Sequence, residues 1–149
     1  MITVNGNKLP WREGMTVSDA LAAMKAAVRL NPSDAVSHSN LGAILRDLDR
    51  RDEAAAACRR AIALDPNIPD AHINLGLVLE SMGSGAQAVE SFRAAVALSP
   101  NSPDAHNNLG NTLRELGRFD EAIAEANTAI HLNPSMATAH NNLGAALDR

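Results

Sequence analysis

One seven-residue stretch occurs four times along this chain at a constant spacing of 34 residues. Its copies end at Gly42, Gly76, Gly110 and Gly144, and the last three share the order Ala-His-x-Asn-Leu-Gly. A constant period of this size is typical of proteins built from stacked, similar units, each of which buries its apolar face only against its neighbours. The repeat therefore constrains the fold before any local motif is considered.

Prolines have the same period, at Pro32, Pro66, Pro100 and Pro134. The residue before a proline is disfavoured in the α conformation, so each of these prolines is expected to end a helix. The pattern between them predicts helices at about 17–30, 35–48, 51–64, 69–82, 85–98, 103–116, 119–132 and 137–148. Connections this short make consecutive helices antiparallel.

The residue that follows the first helix of each unit also predicts where that helix ends. Gly83 and Gly117 stand where a left-handed residue closes a helix, which glycine does without steric cost. Asp49 occupies the equivalent place in the preceding unit, where it is a tolerable but poorer choice. We expect the same backbone turn at all three positions.

Composition excludes several classes of protein. The net charge is −4 with both signs interspersed, so no basic stripe for nucleic acid or an anionic membrane exists. Cys58 is the only cysteine, which excludes a disulfide within the chain. No apolar run has the length of a membrane span, and the first residues lack the features of a signal peptide. We therefore predict a cytoplasmic protein.

The helix pairs resemble the tetratricopeptide repeat (TPR) family. Its pattern is a large residue, Leu-Gly, a second large residue, Ala, a large residue, Ala and Pro, which one unit supplies as His72, Leu75, Gly76, Leu79, Ala88, Phe92, Ala95 and Pro100. The resemblance implies an all-α solenoid, a right-handed superhelix of antiparallel helix pairs. The predicted units are a half repeat at 16–34, full repeats at 35–68, 69–102 and 103–136, and a half repeat at 137–149.

Residues 1–15 differ from the rest of the chain. Asn5-Gly6, between the β-prone Ile2-Thr-Val4 and Lys8-Leu-Pro-Trp11, is a strong hairpin signal. The predicted fold class is therefore an all-α TPR solenoid with a short N-terminal β-hairpin cap. In that cap, the apolar residues that cover helix 17–30 are Ile2, Val4, Leu9 and Trp11.

The same N-terminal segment also resembles the opening hairpin and helix of thiamine-pathway sulfur carriers, through Ile2-Thr-Val-Asn-Gly6, Gly14-Met-Thr-Val17 and Leu21. That family forms a thiocarboxylate on a terminal Gly-Gly. This chain ends in Asp-Arg149, and no later strand follows the segment. A sulfur-carrier-related chimera is therefore kept only as an alternative.

The recurring histidines and the single cysteine are the first residues to test for chemistry. Equivalent side chains on stacked units lie about 10 Å apart, whereas the ligands of one zinc ion lie about 2 Å from it. His38, His72, His106 and His140 are therefore expected to fill the packing slot of the family's aromatic residue. Cys58 stands where the next unit has Phe92, as a small buried hydrophobe. We predict no enzyme, no metal site and no cofactor.

A row of asparagines is harder to explain by packing. Asn40, Asn74, Asn108 and Asn142 recur in register, although asparagine is a poor interior residue for a helix. The sequence around them resembles the repeat arrays of protein O-GlcNAc transferases. That resemblance implies an asparagine ladder on the concave face that hydrogen-bonds the backbone of an extended peptide, to which an amide offers both donor and acceptor. The alternative is that each asparagine caps or bridges to the neighbouring helix.

The predicted peptide-binding residues all lie on the first helix of a unit, either in the asparagine row or about one turn from it. They are Asn40, Asn74, Asn108, Asn142, Ser39, Ile73, Asn107, Asn141, Leu77, Asn111, Arg46 and Arg114. Acidic groups such as Asp70, Glu80 and Asp104 outnumber basic ones on this face, and lysine is absent. Some family members clamp a C-terminal carboxylate with lysines and arginines, so no such clamp is expected here.

The predicted function is a protein–protein interaction module with a protein or peptide partner, and with neither nucleic acid nor membrane as a partner. One alternative is a substrate-recruiting fragment of a larger glycosyltransferase. Another is a scaffold that self-associates through its terminal half repeats, because helix 137–148 has Leu143 and Leu147 on a side without a partner helix.

Overall fold

The computed structural model describes residues 3–4, 7–8 and 14–148. Within these residues the chain forms eight helices whose bounds agree with the predicted ones to within one residue. They are α1 (Val17–Leu30), α2 (Ala35–Asp47), α3 (Arg51–Leu64), α4 (Pro69–Ser81), α5 (Gly85–Leu98), α6 (Pro103–Glu115), α7 (Phe119–Leu132) and α8 (Ala137–Leu147).

Local chemistry explains where these helices begin and end. Thr16 and Asp19 form a capping box at the start of α1, in which the Thr16 Oγ1 atom accepts from the Asp19 amide at 3.2 Å. Gly83 and Gly117 have φ angles of 75°, and Asp49 has 58°, so all three close a helix in the left-handed region. The prediction for these three positions is confirmed.

The helices stack as two layers. We call α2, α4, α6 and α8 the A helices, and α1, α3, α5 and α7 the B helices. Each A helix from α2 to α6 packs closely against the B helix that follows it, and neighbouring A helices also contact one another. Within the described residues, the backbones of neighbouring B helices do not contact each other, although the Arg93 side chain of α5 forms an ion pair with Glu121 of α7 at 2.9 Å. The A helices therefore form the inner layer of a curved stack, and the side of that layer facing away from the B helices is called the inner face.

The core lies between the two layers. A Cβ atom placed on Gly76 would lie 2.6 Å from the Phe92 ring, so only glycine allows α4 and α5 to approach this closely. Phe92 is fully buried, together with Val78 and Val89. In the preceding unit the Cys58 sulfur takes the place of this ring against Gly42. These contacts fix each A helix on its B helix.

The predicted fold class needs one correction, because a β-hairpin cap is not part of this fold. In the described N-terminal residues, Thr3–Val4 (β1) pairs antiparallel with Asn7–Lys8 (β2), over two residues on each side. Strands are normally longer than this, and an isolated two-stranded pairing is marginal at best. The backbone of β1 lies beside α2 and not beside α1, the helix that the cap was expected to cover. Apart from this short pairing, the described residues form an all-helical solenoid of eight helices.

The other predicted covering residues, Ile2, Leu9 and Trp11, lie outside the described residues. An Asn-Gly sequence favours a turn, but a turn does not supply the third strand or the packing face that a stable cap needs.

Candidate functional site

The structure places every predicted binding residue on an A helix. Helical geometry aligns Asp70, Asn74 and Leu77 in one stripe along α4, because residues spaced by four and then three positions share a face. The same stripe on α6 runs through Asp104 and Asn108. The predicted set is therefore brought together on one layer, and the side chains differ in what they contact.

Two of the four asparagines bridge neighbouring A helices. Asn74 is 1% exposed, and its Nδ2 atom donates to the Ser39 Oγ atom at 3.1 Å and to the Ser39 carbonyl oxygen at 3.3 Å. The Asn142 Nδ2 atom donates to the Asn107 Oδ1 atom at 3.0 Å. These contacts match the bridging alternative and tie α4 to α2 and α8 to α6.

The other two asparagines have amides that no protein group uses. Within the described residues, the side chains of Asn40 and Asn108 make no hydrogen bond. Asn40 is 5% exposed and Asn108 is half-buried, and neither side chain has a fully buried polar atom without a partner. Each amide therefore keeps some contact with solvent and has a free donor and acceptor. A peptide-reading role for the row stays a prediction, with these two residues best placed for it.

Glu80 is the centre of a polar cluster between α4 and α6. Its Oε1 atom accepts from the Thr112 Oγ1 atom at 2.8 Å and from the Asn111 Nδ2 atom at 3.3 Å. Asn111 in turn accepts from the Arg114 Nη2 atom at 2.9 Å through its Oδ1 atom. The cluster joins two units through neutral donors, a role that the register of the sequence did not reveal.

Both arginines of the A helices lie near a carboxylate of the adjacent residue. Arg46 lies 2.8 Å from Asp47, and Arg114 lies 3.7 Å from Glu115. Of the other predicted residues, Ile73 and Leu77 are half-buried and pack against the core, whereas Asn141 is exposed. Ile73 and Leu77 therefore contribute at least partly to packing.

The four recurring histidines perform a task that sequence reasoning missed. Each Nε2 atom donates to the carbonyl oxygen of the proline six residues earlier. The distances are 3.0 Å from His38 to Pro32, 2.9 Å from His72 to Pro66, 2.8 Å from His106 to Pro100 and 2.8 Å from His140 to Pro134. A carbonyl only accepts, so Nε2 carries the proton in each ring. The constant six-residue spacing was the available signal, and the bond fastens the link between units.

His106 has a second polar partner. Its Nδ1 atom lies 2.6 Å from the Glu125 Oε2 atom, and the imidazole is buried. The pair holds α6 against α7.

Reactive chemistry has little support on this scaffold. Cys58 is fully buried, and burial raises the pKa of its thiol to about 12. Among the described residues, no group of three or more His, Cys, Asp or Glu is placed to hold a metal ion. None of the described helices combines the length and apolarity needed to cross a membrane. The prediction that the chain is not an enzyme stays a prediction.

Comparison with known proteins gives a family and a set of similar folds. A family model described as the tetratricopeptide repeat matches residues 17–69, 44–103, 73–135 and 107–149. The MamA 41-end chain from Desulfovibrio magneticus RS-1 is 24% identical, with a TM-score of 0.81 over 89% of this chain and 75% of that chain. YrrB, described as a TPR protein with an unusual peptide-binding site, is 25% identical, with a TM-score of 0.75 over 89% of this chain and 68% of YrrB.

A third similar structure contains a bound peptide. The first TPR of Spaghetti (RPAP3), bound to the HSP90 peptide SRMEEVD, is 22% identical, with a TM-score of 0.75 over 77% of this chain and 91% of that one. A search of curated proteins finds no match. The comparisons give no support to the resemblances to O-GlcNAc transferases or to sulfur carriers.

Proposed function

Because the chain belongs to the tetratricopeptide repeat family, we propose that it is a protein–protein interaction module that binds an extended peptide segment along its inner face. YrrB and the RPAP3 repeat are described with a peptide-binding site and a bound peptide, respectively. The observation that carries the proposal is the pair of amides on Asn40 and Asn108, which have no hydrogen-bond partner among the described residues. A peptide group offers the donor and acceptor that such an amide lacks.

The dimensions suit a short extended ligand. Four A helices side by side span about 30 Å between the first and last axes, given an interaxial distance of 8–10 Å. An extended chain advances about 3.3 Å per residue, so a segment of about ten residues crosses the layer. Two backbone-reading asparagines contribute a net stabilisation of about 1–3 kcal/mol, and ordering the peptide opposes it. The expected binding is weak and tolerant of sequence, unless side-chain contacts add to it.

The test is binding of a fluorescein-labelled pool of random 12-residue peptides, followed by fluorescence anisotropy. The double variant Asn40→Ala and Asn108→Ala is expected to weaken binding by about 5- to 100-fold. Asn127→Ala is the matched control, since Asn127 is an exposed asparagine on the B helix α7. Equal affinity of the double variant and the control, with unchanged helicity, would sink the asparagine proposal.

Self-association through the terminal half repeats is a weaker candidate. On α8, Leu147 is 61% exposed and Gly144 has open space beside it. On α1, Ala20 is 6% exposed and Met24 is 5% exposed, so these two residues are not free to contact a second copy. On the same helix, Val17 is 44% exposed and Leu30 is 88% exposed. Sedimentation velocity at rising concentration tests this candidate, and growth of a faster species would favour it.

A further inference from the structure

The charge of the inner layer differs from that of the outer layer. The A helices contain five carboxylates and two arginines, whereas the B helices contain seven carboxylates and six lysine or arginine residues. The outer layer is thus nearly balanced, and the inner layer is acidic. A surface of one sign attracts a ligand of the opposite sign and speeds its association.

The two arginines of the inner layer lie beside carboxylates of their own helices, so among the described residues the remaining carboxylates of that layer have no cation to pair with. Arg46 is held by Asp47 at 2.8 Å, and Arg114 lies 3.7 Å from Glu115, although the buried Nε atom of Arg114 has no hydrogen-bond partner among the described residues. Three carboxylates are left without a cationic partner among the described residues, namely Asp70, Glu80 and Asp104. All three belong to α4 and α6, the two central A helices.

These three carboxylates are not equivalent. Glu80 accepts hydrogen bonds from Thr112 and Asn111, which satisfy one of its oxygens. Asp70 and Asp104 have no side-chain partner in the described part of the chain, and each lies in the first turn of its helix. Asp70 is also half-buried, and this burial raises the pKa of its carboxyl above the ordinary value. A ligand cation beside Asp70 would offset that cost of desolvation.

We propose that the peptide recognised on the inner face is basic, with lysine or arginine side chains that pair with Asp70 and Asp104. This inference rests on the proposed function and names the chemistry of its ligand. Asp70 and Asp104 occupy the same position in consecutive units, roughly 10 Å apart by the spacing of packed helices. Three residues of extended chain cover about the same distance. The expected ligand therefore has cations three residues apart, and each cation lies one helical turn from an asparagine of the row.

The test compares three sets of labelled 12-residue peptides that differ only at two positions three residues apart. One set has lysine there, one glutamine and one glutamate, and the other positions are random and uncharged. The lysine set is expected to bind about three- to tenfold more tightly than the glutamine set at low salt, and the glutamate set more weakly than both. The lysine advantage should shrink as salt is added.

Protein variants assign the effect to the named carboxylates. The double variant Asp70→Asn and Asp104→Asn should abolish the lysine advantage while still binding the glutamine set. The matched control is Asp52→Asn with Asp120→Asn, which removes the same charge from the first turns of the B helices α3 and α7. Circular dichroism verifies that both variants stay folded.

The outcomes separate the two proposals. Equal binding of the lysine and glutamine sets, tighter binding of the glutamate set, or a lysine advantage that survives in the Asp70→Asn and Asp104→Asn variant would each overturn the basic-ligand inference. The proposed function would stand in those cases, because a peptide would still bind. Failure of all three sets to bind the folded protein would overturn the proposed function itself.

Discussion

The Nε2 atom of His106 lies 2.8 Å from the carbonyl oxygen of Pro100, and the same bond joins the histidine and proline of every unit. Pro100 lies two residues after Leu98, the last residue of α5, and His106 lies in α6. The bond therefore spans the link between consecutive units. The histidine therefore helps to hold consecutive units together through this hydrogen bond, whereas the sequence predicted for it a role in packing alone.

Replacing His106 with phenylalanine separates the hydrogen bond from packing. The substitution keeps an aromatic ring in the slot and removes the donor to Pro100 and the contact with Glu125. We expect the free energy of unfolding in urea to fall by about 1–2 kcal/mol. His140→Phe removes the equivalent donor to Pro134 at an exposed site, where water can replace the lost bond, so it should change stability by less than about 0.5 kcal/mol and serves as the comparison. If His106→Phe is as stable as the original, the ring acts through packing only.

Glycine substitutions test how closely the helices of a pair approach. In Gly76→Ala the added Cβ atom meets the Phe92 ring at 2.6 Å, so we expect a loss of about 1–3 kcal/mol from overpacking. Gly144→Ala adds the same atom where no neighbour lies within 4 Å, and it should gain up to about 1 kcal/mol from helix propensity. Urea midpoints of the two variants should move in opposite directions. Movement in the same direction would show that backbone propensity outweighs the contact with Phe92.

Much of this fold could be predicted because its signals are local. Proline at a fixed period, and Gly83, Gly117 and Asp49 at the helix ends, set the helix bounds to within a residue. The prediction of a hairpin cap was wrong because a cap depends on contacts that are not local. Asn5-Gly6 favours a turn, but a cap also needs a distant surface to pack against, and no local pattern reports one.

The candidate site was predictable only in part. The register of the sequence places Asn74 and Asn108 on equivalent faces, yet Asn74 is bonded to Ser39 while Asn108 has no side-chain partner among the described residues. The difference arises from the residue on the preceding A helix, which is Ser39 before Asn74 and the apolar Ile73 before Asn108. A repeat pattern treats the units as identical, so it does not contain this information.

Asn74 and Asn108 should consequently differ in what they do for stability. Asn74→Ala removes two hydrogen bonds and leaves the buried Ser39 hydroxyl without its donor, so we expect a loss of about 1–2 kcal/mol. Asn108→Ala breaks no side-chain hydrogen bond and should be neutral or slightly stabilising, because alanine is the better helix former. Thermal melts monitored by circular dichroism distinguish the two. An equal loss in both would mean that Asn108 also bridges units in solution.

Replacing Asp49 with glycine is expected to stabilise the protein. It holds a φ angle of 58°, where Gly83 and Gly117 stand in the following units. Asp49→Gly removes the side-chain strain of the left-handed region but gives up the exposed ion pair with Arg51 and frees the unfolded chain. We expect a net rise in the free energy of unfolding of about 0.5 kcal/mol, measured as a higher urea midpoint with an unchanged slope. A fall would show that the contact between Asp49 and Arg51 outweighs the strain.

The reactivity of the Cys58 thiol measures how often the core between α2 and α3 opens. Its thiol is fully buried against Gly42, and burial raises its pKa to about 12, so at pH 8 almost no thiolate is present or accessible. We expect a disulfide reagent such as DTNB to leave the native thiol unreacted over the time in which it labels the guanidinium-unfolded chain completely. Any slow labelling of the native protein should follow opening of the α2–α3 pair, and the stabilised Asp49→Gly variant should label more slowly. Rapid, complete labelling of the native protein would show that α2 and α3 separate readily and that Cys58 is not a closed core position.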